Sequence, residues 1–266
     1  MTLKKEFVDQ IGNIVSLQQP PKRIVSLVPS QTELLFYLGL KEEVVGITKF
    51  CIHPDEMFRS KVRVGGTKKC DFEKIKTLNP DLIIGNKEEN DQEQIEQLIK
   101  LYPVWMSDIK TLPDAMEMIS KIGTLVQKED EAKQLVQNIE NAFLDLRVNN
   151  GAKTISVAYF IWKTPYMCAG SNTFIDDVLQ HCGMENILKK SDSRYPIMEI
   201  ADLKKYNPQL ILLSSEPHPF KEENMNEFRS VLPNATIRIV DGEMFSWYGS
   251  RLLVASAYLK SLLNTL

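Results

Sequence analysis

The sequence predicts an α/β protein made of two similar lobes with parallel sheets, joined by a long helical segment. Three observations predict it. Apolar, β-branched runs alternate with amphipathic stretches in both halves of the chain. One pattern occurs twice, as LNPDLIIGNKEEN at Leu78–Asn90 and as YNPQLILLSSEPHPFKEEN at Tyr206–Asn224. The stretch between the halves carries no strand signal and spaces its apolar residues helically.

The first half opens on Ile24-Val25-Ser26-Leu27-Val28, a run that fits a buried strand. Its counterpart is Ile155-Ser156-Val157-Ala158-Tyr159-Phe160. Short polar signatures follow, Ser30-Gln31-Thr32 and Ser171-Asn172-Thr173, and each leads into an amphipathic helix. Apolar positions on those helices are Leu34, Leu35, Tyr37 and Leu38 in one half, and Phe174, Ile175, Val178 and Leu179 in the other. Gly39 and Gly183 mark their ends.

A second helix then runs to an Asn-Pro break in each half, because proline disfavours helix in the residue before it. The strands Leu82–Ile84 and Leu210–Leu213 come next. A helix and one more strand complete each half: Gln92–Leu101 with Val104–Met106, and Asn224–Val231 with Ile237–Val240. Between the halves, Pro113–Val126 reads as one helix. Ala132, Leu135, Val136, Ile139, Ala142, Phe143 and Leu146 mark a longer one. About twenty helical residues reach ~30 Å, enough for a stiff connection between lobes. The expected domains are residues 1–112, 113–150 and 151–266.

The composition is that of a globular protein: 43% hydrophobic, 25% charged, net charge −3 over 266 residues. So mild a charge argues against nucleic-acid binding. No apolar run reaches the ~20 residues a membrane span requires. The amino terminus lacks the apolar core of a secretory signal, which leaves open a cytoplasmic protein or one whose leader has been removed. Cys51, Cys70, Cys168 and Cys182 form no C-x-x-C pair and read as small buried hydrophobes, with Cys51–Cys70 or Cys168–Cys182 as the alternative disulfides of an exported protein.

Ligands of open parallel sheets bind beyond the carboxyl ends of the strands. The residues expected there are therefore the candidates. Ser30–Glu33, SQTE, reads as a capping box, with Ser30 as cap and Glu33 reaching back. A helix terminus of this kind also offers free N–H groups to a ligand, and Pro29 keeps the chain extended before it. Trp162 and Tyr166 follow a strand of the second half; Trp247, Tyr248 and Arg251 follow its last strand. A tryptophan on such a loop either packs or meets a ligand. Two of them on one lobe favour a large planar ligand. His53 and Lys68 lie on comparable loops of the first half.

Enzyme signatures are absent: the sequence has no H-E-x-x-H, G-x-S-x-G, phosphate-loop or dinucleotide motif, and its three histidines are scattered. Val64–Lys69, VGGTKK, is glycine-rich without phosphate-loop spacing. The expectation is a binder, not an enzyme, with no cofactor and no protein-held metal. Acidic clusters follow the repeated strand in both halves: Glu88, Glu89 and Glu93, then Glu222, Glu223 and Glu227. Acidic residues suit first turns. Their symmetric placement also suits a two-fold partner carrying arginines.

With these residues in view, the chain resembles the periplasmic solute-binding proteins of ABC importers for cobalamin, ferric siderophores and haem. The resemblance runs from DQIGNIVSLQQPPKRIVSLVPSQTELLFYLG through GGTKKCDFEKIKTLNPDLII to WYGSRLL, and PPKRIVSLVPSQTE is its most specific part. It implies two Rossmann-like lobes on a helical backbone, the class III binding-protein type, and a periplasmic location. It implies that Pro29, Ser30, Gln31, Thr32, His53, Lys68, Trp162, Tyr166, Trp247, Tyr248 and Arg251 meet the ligand, a metal chelate. It further implies that Glu89 or Glu93, and Glu222 or Glu223, dock on an ABC permease dimer. Cobalamin binders tend to carry an aromatic where Lys68 stands, and an anionic ferric chelate would welcome Lys68, which leaves the identity of the chelate open. A bare-metal receptor and a cytoplasmic enzyme or sensor on the same scaffold are the alternatives.

Overall fold

The computed structural model describes residues 4–149 and 154–266. The predicted junction at 150–151 lies outside them. The chain divides into two compact units. The first takes the chain through Ile109, Pro113–Asn138 and Tyr248–Arg251; the second takes Lys110–Leu112, Ile139–Trp247 and Leu252–Leu266.

The first unit begins with β1 (Lys5–Val8) and β2 (Ile14–Leu17), an antiparallel hairpin that the sequence reading missed. Four-residue strands with a weak apolar pattern give little periodicity to read. The turn is nevertheless built by side-chain chemistry: Asp9 accepts from the amides of Ile11 and Asn13, and Gly12 takes φ +91°. Asp9 also accepts from Met106 N, tying the hairpin to the sheet.

The sheet proper uses β3 (Ile24–Ser26), β4 (Val44–Ile47), β5 (Val62–Arg63), β6 (Leu82–Asn86) and β7 (Val104–Ser107). The intervening helices are α1 (Pro29–Tyr37), α2 (Asp55–Ser60), α3 (Phe72–Leu78) and α4 (Gln92–Ile99). Strand order is β5-β4-β3-β6-β7, all parallel. A parallel sheet is covered on both faces, which is why Ile24, Val25, Leu82, Ile83 and Ile84 are all buried. The segment that follows forms α5 (Leu112–Leu125) and α6 (Glu129–Asn149), separated by Gln127 at φ 57°.

The second unit carries β8 (Ile155–Trp162), β9 (Met167–Cys168), α7 (Phe174–His181), β10 (Met184–Asn186), α8 (Leu203–Tyr206), β11 (Leu210–Ser214), α9 (Glu222–Val231), β12 (Thr236–Val240), α10 (Glu243–Ser246) and α11 (Arg251–Leu263). Its order is β10-β8-β11-β12, parallel, with β9 added antiparallel to β8. In chain order, four strands of each sheet lie second-first-third-fourth, so the repeat seen in the sequence is a repeat of topology. The Asn-Pro breaks agree in detail: Asn79 (φ 44°) and Asn207 (φ 45°) both close a helix in the left-handed conformation that asparagine tolerates. Phe160, Leu213, Phe228 and Ile237 belong to the second core.

Candidate functional site

Parallel strands bring their carboxyl ends to one edge, and each unit carries its polar and aromatic residues there. On the first unit, Pro29 occupies the first turn of α1, after β3. The expected capping box does not form. The cap position is Val28, with no side-chain cap, because Pro29 starts the helix two residues earlier than a Ser30 cap requires. Glu33 meets Arg251 instead, in a two-pronged pair with Nη2–Oε1 at 2.8 Å and Nε–Oε2 at 2.9 Å.

Ser30, Gln31 and Thr32 are buried. Thr32 turns inward: its hydroxyl donates to Val28 O at 3.0 Å and lies 2.7 Å from Ser26 Oγ and 3.1 Å from Cys51 Sγ. Gln31 Nε2 donates to Ser107 Oγ at 2.6 Å, and Asn86 Nδ2 donates to the same oxygen at 3.0 Å. Ser107 Oγ lies 3.3 Å from Gly85 O, its own acceptor. Gln31 Oε1 is left buried with no hydrogen-bond partner, as is Ser250 Oγ nearby in sequence to Tyr248. Tyr248 is buried, and Ser30 and Ser107 lie close enough to its hydroxyl to perturb it; lost solvation is the largest influence, pushing the phenol well above its ordinary range.

The loops around this cluster hold Lys68, His53 and the glutamates. Gly65 (φ +103°) and Gly66 make the VGGTKK segment a tight reversal, with Gly66 N donating to Lys69 O at 2.8 Å. Gln94 clamps that loop, donating to Lys68 O and accepting from Cys70 N, both at 2.7 Å. Lys68 Nζ donates to the backbone carbonyls of Glu88 and Asn90. Glu89 keeps solvent contact, yet surrounding protein strips enough water to raise its carboxyl above the usual range, helped by Glu88 and opposed by Lys68. His53 is half-buried on the loop after β4. The same loop exposes Phe50, an aromatic the sequence reading passed over. Asn86 and Ser107, buried strand-end polar residues, were missed because nothing in their local sequence sets them apart.

On the second unit, Trp162 lies inside β8, not on a loop after it, because pairing of Trp162 with Met167 extends the strand into a hairpin. Its ring is 39% exposed and leans on His218 at 5.7 Å, which in turn meets Phe220 at 4.8 Å. Tyr166 stacks on Phe220 at 6.3 Å and donates to Glu227 at 2.6 Å. Burial first, and that carboxylate second, push its phenol up to about 12. Trp247 is buried, with Nε1 donating to Glu216 at 2.9 Å. The edge is thus an exposed indole on an aromatic base, with a second indole held by a carboxylate.

The remaining glutamates sit on helix starts. Glu93 is exposed in the first turn of α4, and Glu222 and Glu223 in the first turn of α9. These two helices follow the third strand of their respective sheets. Among the described residues, no three His, Cys, Asp or Glu side chains are grouped to hold a metal ion. The four cysteines are free thiols, with burial pushing Cys70 up to about 11 and Cys182 up to about 12. No helix of the described residues is long and apolar enough to cross a membrane.

The chain is 26% identical over 250 residues to the vitamin B12-binding protein of Pectobacterium carotovorum, covering 92% of this chain and 90% of the relative. The crystal structure of the periplasmic vitamin B12-binding protein of Vibrio cholerae superposes with a TM-score of 0.79 at 23% identity, over 92% of this chain and 98% of that one. The apo periplasmic heme-binding protein of Roseiflexus sp. RS-1 gives 0.81 at 19%, over 92% and 98%. The periplasmic catecholate-siderophore-binding protein of Vibrio cholerae gives 0.79 at 16%, over 99% and 100%. The family pattern described as periplasmic binding protein matches residues 24–232, a span that takes in strands of both parallel sheets, and the chain therefore belongs to the periplasmic binding protein family.

Proposed function

We propose that this protein is the solute receptor of an ABC importer, capturing a metal chelate at the strand-end edges and handing it to a membrane permease. The observation that carries the reading is its relation to a vitamin B12-binding protein over nine-tenths of both chains. Two features support it. The buried amide of Gln31 has an unmet acceptor, which a polar ligand can satisfy. The exposed face of Trp162 suits a large planar one. A chelate that brings its own metal asks for no ligand cluster from the protein. A bare-metal receptor draws no support from the described side chains.

In this reading the protein is a binder, not a catalyst, and works outside the cytoplasmic membrane. Glu93 of the first unit and Glu222 or Glu223 of the second are the permease contacts. They are exposed and occupy corresponding helix starts of their own units, where arginines of a partner can meet each. Titration with vitamin B12, haem and a ferric catecholate, followed by tryptophan fluorescence, tests the function. A sub-micromolar Kd for one of them is expected. Binding weaker than about 100 μM for all three overturns it, since a gap that wide from sub-micromolar exceeds about 2.7 kcal/mol.

A further inference from the structure

We propose that Glu227 is a positioning residue that joins the hairpin bearing Trp162 to the amino-terminal turn of α9, so that a ligand ordering the indole also orders Glu222 and Glu223 for the membrane partner. The inference rests on the receptor reading above and concerns how capture is communicated within the second unit.

In sequence, Glu227 belongs with Glu222 and Glu223; in space it parts from them. Glu222 and Glu223 are exposed at the start of α9. Glu227, one turn further on, turns both carboxylate oxygens back onto the protein. Its Oε1 lies 2.5 Å from Lys163 Nζ, and its Oε2 accepts from the Tyr166 hydroxyl at 2.6 Å. Lys163 and Tyr166 flank the turn between β8 and β9, and each is the chain neighbour of one member of the Trp162–Met167 pair. One carboxylate thus grips both arms of the hairpin that presents Trp162. Contacts of this charged kind are shorter and stronger than neutral ones. They hold the Glu227 carboxyl below its usual range, Lys163 first and Tyr166 next, and raise the Lys163 ammonium in turn.

From Glu227 the connection continues to the helix start. Buried Asn224 donates from Nδ2 to Glu227 Oε1 at 3.5 Å, and its Oδ1 accepts from the Lys221 amide at 2.9 Å, closing the first turn. Rings run alongside. Trp162 leans on His218 at 5.7 Å, His218 meets Phe220 at 4.8 Å, and Phe220 stands next to Lys221, the cap of α9. Tyr166 stacks on Phe220 and meets Phe228 of α9 edge-on at 5.4 Å. Hairpin, loop and helix start are therefore one packed group whose outermost member, Trp162, is 39% exposed. A planar ligand laid on that indole restricts it, and the restriction is shared by whatever is fastened to it. A partner that meets an already ordered helix start loses less entropy on docking, with no displacement of the backbone required.

Hydrogen exchange read by mass spectrometry, over peptides covering the hairpin and the first turn of α9, tests this in wild type, Glu227→Ala and Tyr166→Phe, each checked by thermal melting. Without ligand, adding Trp162→Ala to wild type should speed exchange at the start of α9 by about threefold or more. Adding it to Glu227→Ala should change that exchange by less than about 1.5-fold. In the second arm vitamin B12, haem and a ferric tris-catecholate are added at saturation. Any probe that binds should slow exchange at both places in wild type, about threefold or more, and at the hairpin alone in Glu227→Ala. Tyr166→Phe keeps the ring packing and removes one contact; it should give an intermediate response, and it decides the matter if Glu227→Ala fails to fold. An α9 start that ignores Trp162→Ala in wild type, or responds equally in Glu227→Ala, overturns the proposal and leaves the receptor reading intact. If no probe binds wild type, the receptor reading fails and the communication fails with it, whatever the ligand-free arm returns.

Discussion

The pair between Arg251 and Glu33 offers a measurable test of how the first unit is held. Its side chains are 11% and 21% exposed, so the pair lies between a surface bridge, at about 0–1 kcal/mol, and a buried one, whose loss of one partner costs about 3–5 kcal/mol. Two-pronged contact favours the upper part of that interval. Arg251→Met or Glu33→Gln alone should therefore cost about 2–3 kcal/mol, because each strands the opposite group in a place largely shielded from water. The double variant strands nothing. It should cost less than the sum of the single changes, with a coupling of about 1.5 kcal/mol or more. Urea unfolding followed by fluorescence yields the four stabilities of the cycle. Single variants within about 0.5 kcal/mol of wild type, or strict additivity, would falsify the claim that this pair anchors Tyr248–Arg251 to α1.

The other predictions concern single residues. Trp105 and Trp247 are buried and Trp162 is 39% exposed, so Trp162→Phe should remove most of the ligand-induced fluorescence change while moving stability by less than about 0.5 kcal/mol. An unchanged response would take Trp162 out of the site. Glu89 has its pKa raised in the folded state, so the folded protein holds that proton more tightly than the unfolded chain does. The stability this contributes is complete below the unfolded value, about 4.3, and is lost as pH rises. Glu89→Gln should consequently melt above wild type at neutral pH, with the gap closing as pH falls towards about 4; a gap that grows on acidification refutes it. Glu93→Lys combined with Glu222→Lys should depress uptake into reconstituted transporter and spare chelate affinity. A parallel loss of affinity would remove both residues from the permease contact.

Much of the fold was legible because parallel strands, buried on both faces, write themselves as unbroken apolar runs such as Leu82–Ile84 and Leu210–Leu213. The Asn-Pro breaks were legible for the same local reason in both halves. The hairpin β1–β2 was not, since four-residue strands give little periodicity and its tie to the sheet joins Asp9 to Met106, far apart in sequence. The site was legible by position rather than by contact. Strand ends identify which loops gather, and so pointed to Gln31, Lys68 and Trp162, but they do not say which side chain turns inward. Thr32 pointing to Ser26 and Cys51, and Glu33 reaching Arg251 instead of its own helix cap, are decided by three-dimensional neighbours. Asn86 and Ser107 escaped notice because their importance is a shared oxygen, visible only once β6 and β7 are side by side.

Tyr248–Arg251 belongs to the first unit although it is separated from the rest of that unit by more than a hundred residues. Cutting the gene at the helical segment would therefore not yield two self-sufficient modules. The amino-terminal fragment would keep Glu33 and lose the arginine that answers it. Attempts to halve the chain, permute its ends or insert a reporter should keep Tyr248–Arg251 together with the unit they complete.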